Sequence, residues 1–199
     1  MRTHLLDLGA AYAFFQRAVG ISAVREYLVE QYIRPAPGAR VLDFACGTGN
    51  MLPFLPEVDY LGVDTNPDYV ARATKKHFGR GRFACQSVLD PLPAGAGPFD
   101  IIIGFGILHH LPDDACVALC RHAERVLAAG GRFITLDGCY RDGQHPLAYW
   151  LNRFDRGKFV RTGEAYESLA RSAFPSVRRY DYCGKLRIPT DHCVLVCER

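Results

Sequence analysis

Val41-Leu42-Asp43-Phe44-Ala45-Cys46-Gly47-Thr48-Gly49-Asn50 is a short apolar run that ends in an acid and passes at once into a turn of small residues. In an open α/β sheet, this is the junction where a strand hands the chain to a helix and where a nucleotide-like ligand meets bare backbone. A Cβ would block such an approach, and Gly47 and Gly49 can take positive φ without strain. The stretch therefore predicts a parallel strand, Arg40 to Phe44, with a ligand-binding turn at its C-terminal end.

The residues on either side repeat the theme. Tyr60-Leu61-Gly62-Val63-Asp64 is a second apolar run ending in an acid, 21 residues after Asp43. Asn66-Pro67 then reads as an N-cap with proline at the first helical position, and the helix runs towards His77. Arg82 to Val88 is a weaker third strand, and Phe99 to Gly104 a fourth, continuously apolar as a strand covered on both faces must be. Pro112-Asp113-Asp114 starts a helix expected to end at Gly130-Gly131, and Arg132 to Asp137 is the fifth strand.

Upstream, Ala11 to Ile33 carries apolar residues at helical spacing, broken at Gly20, with Ser22 a candidate N-cap. Such a segment could pack on a sheet edge or close over a ligand. Downstream, Cys139 to Val160 breaks the alternation and is polar and aromatic. Thr162 then caps a helix, and Val177 to Gly184 and Asp191 to Glu198 read as a terminal strand pair. The reading is one α/β domain with a mainly parallel sheet: a helical cap at 1–38, a ligand-binding core at 39–138, an insert at 139–161, and a helix with the strand pair at 162–199.

Composition narrows the function classes. The 199 residues are 49% hydrophobic and 23% charged, with no apolar run near the ~20 residues of a membrane span. Arg2, His4 and Asp7 at the N-terminus do not resemble a signal peptide, so a cytoplasmic setting is expected. Eight cysteines occur without a C-x-x-C pair and read as buried reduced thiols; the histidines and acids lack metal-ligand spacing, so no metal site is expected. The net charge of +3 argues for no nucleic-acid partner, although Cys139 to Arg199 holds 11 Lys and Arg against 7 Asp and Glu. That excess could meet an anionic acceptor or be a solvated face.

Two acids sharpen the ligand. Asp43 lies directly under the turn, and Asp64 is placed to accept two hydrogen bonds from a ribose diol. The turn reads D-x-A-x-G-x-G, with Pro53 four residues beyond Gly49, and no G-K-[ST] phosphate loop occurs. An adenosine without phosphates suits this better than a dinucleotide.

VLDFACGTGN, YLGVDTNP, FDIIIGFGILHHLPD and VLAAGGRFITLD, in this order, resemble a class I S-adenosylmethionine-dependent methyltransferase, of the group that includes ubiquinone/menaquinone-pathway and sugar O-methyltransferases. The resemblance covers Arg40 to Asp137. It implies a single doubly wound Rossmann-like domain, a mainly parallel seven-stranded sheet with a reversed last strand, and an N-terminal helical lid. It also implies that the Asp43 to Gly49 turn, with Ala45, Cys46 and Gly47, wraps the methionine part of S-adenosylmethionine. Asp64 would bind the ribose, and Thr65 would pack beside the adenine. Ser87 falls where relatives hold an adenine-binding acid, with Val88 stacking or donating its N–H and Asp90 a substitute. Gly104 and Phe105 would line the methionine, and Tyr12 and Gln16 would close over the cofactor.

For chemistry, a hydroxyl acceptor needs a base of near-neutral pKa. Ile107-Leu108-His109-His110-Leu111 follows the fourth strand, and Asp137 ends the fifth on the same edge. In similar sugar O-methyltransferases, a histidine of this motif and such an acid are base candidates. His109 with Asp137 is the first choice and His110 the second; the alternative is that the histidines only pack the loop. His77, His122 and His192 read as surface or packing residues. The insert is expected to select a small-molecule or glycan acceptor. Its aromatics and Arg153, Arg156, Lys158 and Arg161 suit a ring with a negative group; alternatively Trp150 and Phe154 pack on the sheet while the arginines face water. The oligomeric state is not legible. A cofactor-binding protein without catalysis is the competing class. A nucleic-acid methyltransferase is disfavoured by the lack of an N-P-P-Y-type motif or a basic stripe.

Overall fold

The computed structural model describes residues 21–154, 157–183 and 189–199, so Tyr12, Gln16, Arg156 and the break at Gly20 lie outside the described residues. Eight strands form one sheet: β1 (Arg40–Phe44), β2 (Asp59–Asp64), β3 (Arg82–Cys85), β4 (Phe99–Phe105), β5 (Leu127–Tyr140), β6 (Arg161–Thr162), β7 (Ser176–Cys183) and β8 (Asp191–Glu198). The order is β3-β2-β1-β4-β5-β8-β7, with the two-residue β6 beside the end of β5. Pairing is parallel from β3 to β5 and antiparallel on both sides of β8, so the last strand alone is reversed. The expected seven-strand sheet is present, with β6 added to it. The strand order reverses at β1 and β4, the place where open α/β sheets bind ligands beyond the strand C-termini.

Among the described residues, five α-helices cover the sheet: α1 (Ile21–Leu28), α2 (Pro67–Lys76), α3 (Asp113–Val126), α4 (Pro146–Phe154) and α5 (Gly163–Arg171). On one face Phe44, Ile102 and Phe133 pack with Leu119 and Ala123 of α3 and Tyr166 and Ala170 of α5. On the other, Val41, Ile103, Ile134 and Val194 pack with Val24 and Leu28 of α1. The central strands are buried on both faces, which explains why they read as continuous apolar runs.

Local signals behave as expected where side chains act on their own backbone. The Asn66 carboxamide accepts from the Asp68 and Tyr69 N–H groups, with Pro67 at the first position of α2. The Thr162 hydroxyl caps α5 in the same way. Ser22, by contrast, lies within α1 rather than before it.

Two boundaries differ for tertiary reasons. α3 ends at Val126, not at Gly130-Gly131, because Leu127 pairs with Phe99 and the two glycines form a bulge before Arg132 resumes the ladder beside Ile101. Gly130 has φ of +72°, and a Cβ on Gly131 would lie 3.0 Å from the Phe99 carbonyl. β3 stops at Cys85 because Asp90 Oδ2 accepts from the Ser87 N–H and the Ser87 Oγ accepts from the Leu89 N–H, closing a turn.

Gly62 in β2 shows how tightly the sheet fits under the ligand turn. A Cβ there would sit 2.7 Å from Cys46 Sγ and 2.9 Å from Phe83 Cδ1. Gly62→Ala is therefore expected to lower unfolding free energy by about 1–3 kcal/mol through overpacking, read from urea denaturation.

Candidate active site

The turn after β1 owes its shape to three residues in the left-handed region: Ala45 at φ +55°, Gly47 at +55° and Gly49 at +69°. It is held by backbone bonds from the Cys46 N–H to the Val63 carbonyl and from the Gly49 N–H to the Cys46 carbonyl. Asp64 fastens it to β2: Oδ2 accepts from the Gly47 N–H at 2.9 Å and Oδ1 from the Asn66 N–H at 2.8 Å. One N–H to each oxygen leaves lone pairs on both for a ligand diol.

Beneath the turn, Asp43 is buried and accepts from the Tyr60 hydroxyl at 2.6 Å. Burial pushes its carboxyl up to about 7; the Tyr60 hydrogen bond opposes this, and the neighbouring Asp64 charge adds to it. His77 also supports the turn from below. Its ring stacks on Phe83, and a Cβ on Gly49 would lie 2.9 Å from its Cδ2. Burial lowers the His77 pKa, so the ring favours its neutral form. Tyr60 and His77 are the site residues that the sequence did not single out; only their pairing across β1, β2 and α2 reveals them.

The other expected ligand contacts divide. Cys46 turns its thiol inward against Gly62, so its side chain shapes the turn from beneath rather than facing a ligand. Thr65 is exposed at the end of β2, beside Asp64. Asp90 Oδ2 accepts from the Ser87 N–H, which turns one oxygen of this exposed carboxylate back onto its own loop, while the Val88 side chain is buried in the core. Gly104 is small because Phe133 lies against it, 2.9 Å from where a Cβ would stand. Phe105 packs partly against the opposite core cluster.

Asp43 and Asp64 give the floor of this cradle a negative character, and the left-handed turn keeps side chains off it: a Cβ on Gly47 would meet nothing within 4 Å. Two carboxylates repel phosphate and favour a cation. A nucleoside carrying a sulfonium and an ammonium group fits this donor set.

The Leu-His-His segment and the fifth strand meet as expected. Asp137 Oδ1 accepts from the His109 backbone N–H at 3.2 Å and pairs with His109 Nδ1 at 2.8 Å, with both residues buried. Asp137 Oδ2 is buried and meets no hydrogen-bond partner among the described residues. The His110 ring lies 4.1 Å from that of His109, centre to centre. His122 is a packing residue whose ring lies beside Phe44.

The end of the insert clamps this segment. The Phe159 N–H donates to the His109 carbonyl at 3.0 Å, and Gly157 lies so close that a Cβ would be 2.1 Å from His109 Cδ2. Arg161 pairs with Asp113 and donates to the carbonyls of Leu108, Leu111 and Phe159. It neither faces water nor offers itself to an anionic ligand: it is a strut. Nor do Trp150 and Phe154 pack on the sheet, being 53% and 78% exposed. A cavity of about 830 Å³ lies towards β7, between α4 and the start of α5, and is lined by Tyr140, Arg141, Glu164, Arg179 and Asp181 among others. None of the turn residues lines it. Among the described residues, no cluster of His, Cys, Asp and Glu could hold a metal ion.

Residues 41–131 match the family described as a methyltransferase domain. An uncharacterized methyltransferase of Synechocystis is 27% identical over 158 residues, 75% of this chain and 73% of that protein. A ubiquinone biosynthesis O-methyltransferase of Xanthomonas axonopodis is 31% identical over 56% of this chain, which spans 48% of its length. Matched relatives also include a 23S rRNA methyltransferase of Thiobacillus denitrificans. Among solved structures, magnesium protoporphyrin IX methyltransferase of Synechocystis with bound SAH shares the fold at a TM-score of 0.66 and 19% identity, covering 94% of this chain and 87% of that one.

The raised carboxyl of Asp43 carries a stability signature. Its folded pKa of about 7 lies above the unfolded value near 3.8, so the folded state holds the extra proton between these limits. The associated stability is present at low pH and is lost as pH rises through about 7. Asp43→Asn removes this dependence. Its melting temperature should gain on the parent's progressively from pH 5 to pH 8, by the equivalent of about 3 kcal/mol at most. A constant difference across that range would contradict the assignment.

Proposed function

We infer that this chain, a class I S-adenosylmethionine-dependent methyltransferase, places the methyl group on an oxygen of a small-molecule or glycan acceptor, with His109 as the base. The observation that carries this reading is the buried pairing of His109 Nδ1 with Asp137 Oδ1 at 2.8 Å. A carboxylate on Nδ1 fixes the ring's orientation and tautomer and leaves Nε2 as the proton-accepting atom. Nitrogen acceptors that are already unprotonated need no such base; hydroxyls do.

Bound S-adenosylmethionine supplies an already activated methyl group. The chain's own work is alignment, exclusion of water and removal of one proton. Ala45, Gly47 and Gly49 give the methionine end a side-chain-free wall, with Gly104 and Phe105 beyond it. Asp64 holds the ribose diol, and Thr65, Ser87 and Val88 flank the adenine. Asp43, ionised when a cation is beside it, stabilises the ammonium end. His109 would take the acceptor's hydroxyl proton, and Asp137 would stabilise the resulting imidazolium. The His110 ring lies tilted beside that of His109, and His110 is the second choice for base. The clamp of Gly157, Phe159 and Arg161 keeps the histidine segment in register with β5.

The ubiquinone-pathway relative acts at oxygen by its name, which supports the same chemistry here. The rRNA methyltransferase among the relatives keeps a nucleic-acid acceptor as the alternative, to be judged in the same assay.

Two substitutions separate binding from chemistry. Asp64→Ala should weaken S-adenosylmethionine binding by about 1–3 kcal/mol, because the diol loses a charge-assisted partner; calorimetry reads this directly. With an acceptor found by screening hydroxylated aromatics, sugars and RNA, His109→Gln should retain cofactor affinity and lower kcat about 10²–10⁴-fold. Unchanged turnover in His109→Gln would overturn the base assignment, and turnover on RNA alone would overturn the acceptor class.

A further inference from the structure

α4 is amphipathic in the wrong sense for a core helix. Leu147, Trp150, Leu151 and Phe154 recur at i, i+3, i+4 and i+7, the spacing of one helix face. All four are exposed, as are Tyr149 on the same helix and Phe159 further along the chain. The face turned to the sheet is instead small and polar: Ala148 is buried, and Asn152 donates to the Cys139 carbonyl at 2.7 Å, two residues beyond Asp137. Of the ten exposed large hydrophobics among the described residues, six lie between 147 and 159, so this is a patch and not scatter. The Trp150 and Phe154 rings stack at 5.4 Å and 18°, and Tyr149 meets Trp150 edge-on, which makes the ridge continuous.

The surroundings choose the occupant. The insert from 139 to 161 carries five Lys and Arg against two Asp. Arg153 lies on α4 beside the stripe and Lys158 follows the helix in the chain; both are exposed, and neither makes a salt bridge with a described residue. With side chains of ~150–250 Å² each and about half of that area exposed, the patch is on the order of 600 Å². A stable protein–protein interface takes ~800 Å² from each partner. A short face of Leu, Trp and Phe rimmed by cations matches a different surface, the headgroup boundary of an anionic bilayer. We propose that α4 is an interfacial docking helix, which seats Leu147, Trp150, Leu151 and Phe154 in the surface of an anionic membrane while Arg153 and Lys158 meet its phosphates. It lies on the surface and does not span; no helix among the described residues is long and apolar enough to cross.

Trp150 is the only tryptophan of the chain, so its fluorescence reports on this helix alone. The full chain is mixed with sucrose-loaded vesicles of phosphatidylcholine, and with vesicles of phosphatidylcholine and phosphatidylglycerol. The expected result is about tenfold or stronger partition onto the anionic vesicles, with a blue shift of Trp150 and its quenching by brominated lipid. Leu147→Ser/Leu151→Ser/Phe154→Ser keeps the reporter and should lose about tenfold or more in partition while its affinity for S-adenosylmethionine is retained. Should this variant fail to fold, Trp150 quenching by brominated lipid in the parent decides. Arg153→Ala/Lys158→Ala should lose the preference for anionic lipid. Absence of binding to either vesicle, or undiminished binding by the folded triple variant, would overturn the proposal. So would a blue shift on raising protein concentration alone, which would assign the ridge to a second copy of the chain.

Discussion

The hydrogen bond from the Gly47 N–H to Asp64 Oδ2 ties the turn after β1 to the end of β2, and the geometry of the ligand cradle follows from it. A turn with Ala45, Gly47 and Gly49 all at positive φ has little intrinsic reason to persist; Ala45 alone costs roughly 1–2 kcal/mol in that conformation. Asp64 holds the turn from one side, and the Cys46 and His77 side chains fill the space beneath it. The price of this arrangement is a second carboxylate, Asp43, buried where ionisation is disfavoured. Its charge is disfavoured by burial, and the Tyr60 hydroxyl partly offsets this.

The other half of the site is assembled by contacts of long sequence separation. β4 delivers the Leu-His-His segment, β5 delivers Asp137, and the insert returns across both. The backbone N–H of His109 and its ring share one carboxylate oxygen of Asp137, so loop position and ring orientation are set together. Gly157 admits the His109 ring where any side chain would collide, and Arg161 bridges the carbonyls of Leu108 and Leu111 to Asp113. The Leu108 carbonyl already accepts from the Leu111 N–H, and the guanidinium gives it a second partner and gives the Leu111 carbonyl a charged donor. A cation in the insert is therefore spent on the fold rather than on a ligand.

What the sequence disclosed and what it withheld follow from the range of the forces involved. β1, β2 and the Asn66 cap depend on residues within a few positions, and their boundaries were legible to within a residue. The gathering of Asp43, Asp64, His109 and Asp137 towards one edge of the sheet was also legible, although β5 runs on to Tyr140 rather than ending at Asp137 as expected. The end of α3 was not: a Gly-Gly pair can end a helix or form a bulge, and only the register of Leu127 against Phe99 decides. Arg161 and Gly157 were equally hidden, since a strut and a substrate-binding arginine look alike until their partners are known. Tyr60 and His77 gave no local signal of their support for the turn.

α4 poses the sharpest conflict between pattern and packing. Helical periodicity of apolar residues ordinarily marks the side that faces the core, and on that rule Trp150 and Phe154 belong against the sheet. The sheet has no room for them there, because β5 is covered at this end by Asn152, bonded to the Cys139 carbonyl, and by the Tyr166 hydroxyl, which donates to the Gly138 carbonyl. Gly138 itself approaches Asn152 so closely that a Cβ would stand 2.9 Å from its Oδ1. The helix is thus fastened by a polar contact through its narrow side, and its broad apolar side is left outward by construction. A fold that needed only a stable insert would turn the helix over and gain the burial of four large side chains, each worth about 1.5–3 kcal/mol when fully buried. The close approach of Asn152 to Gly138 leaves those side chains no space on the sheet, and their exposure is the physical reason to look for a partner outside the chain.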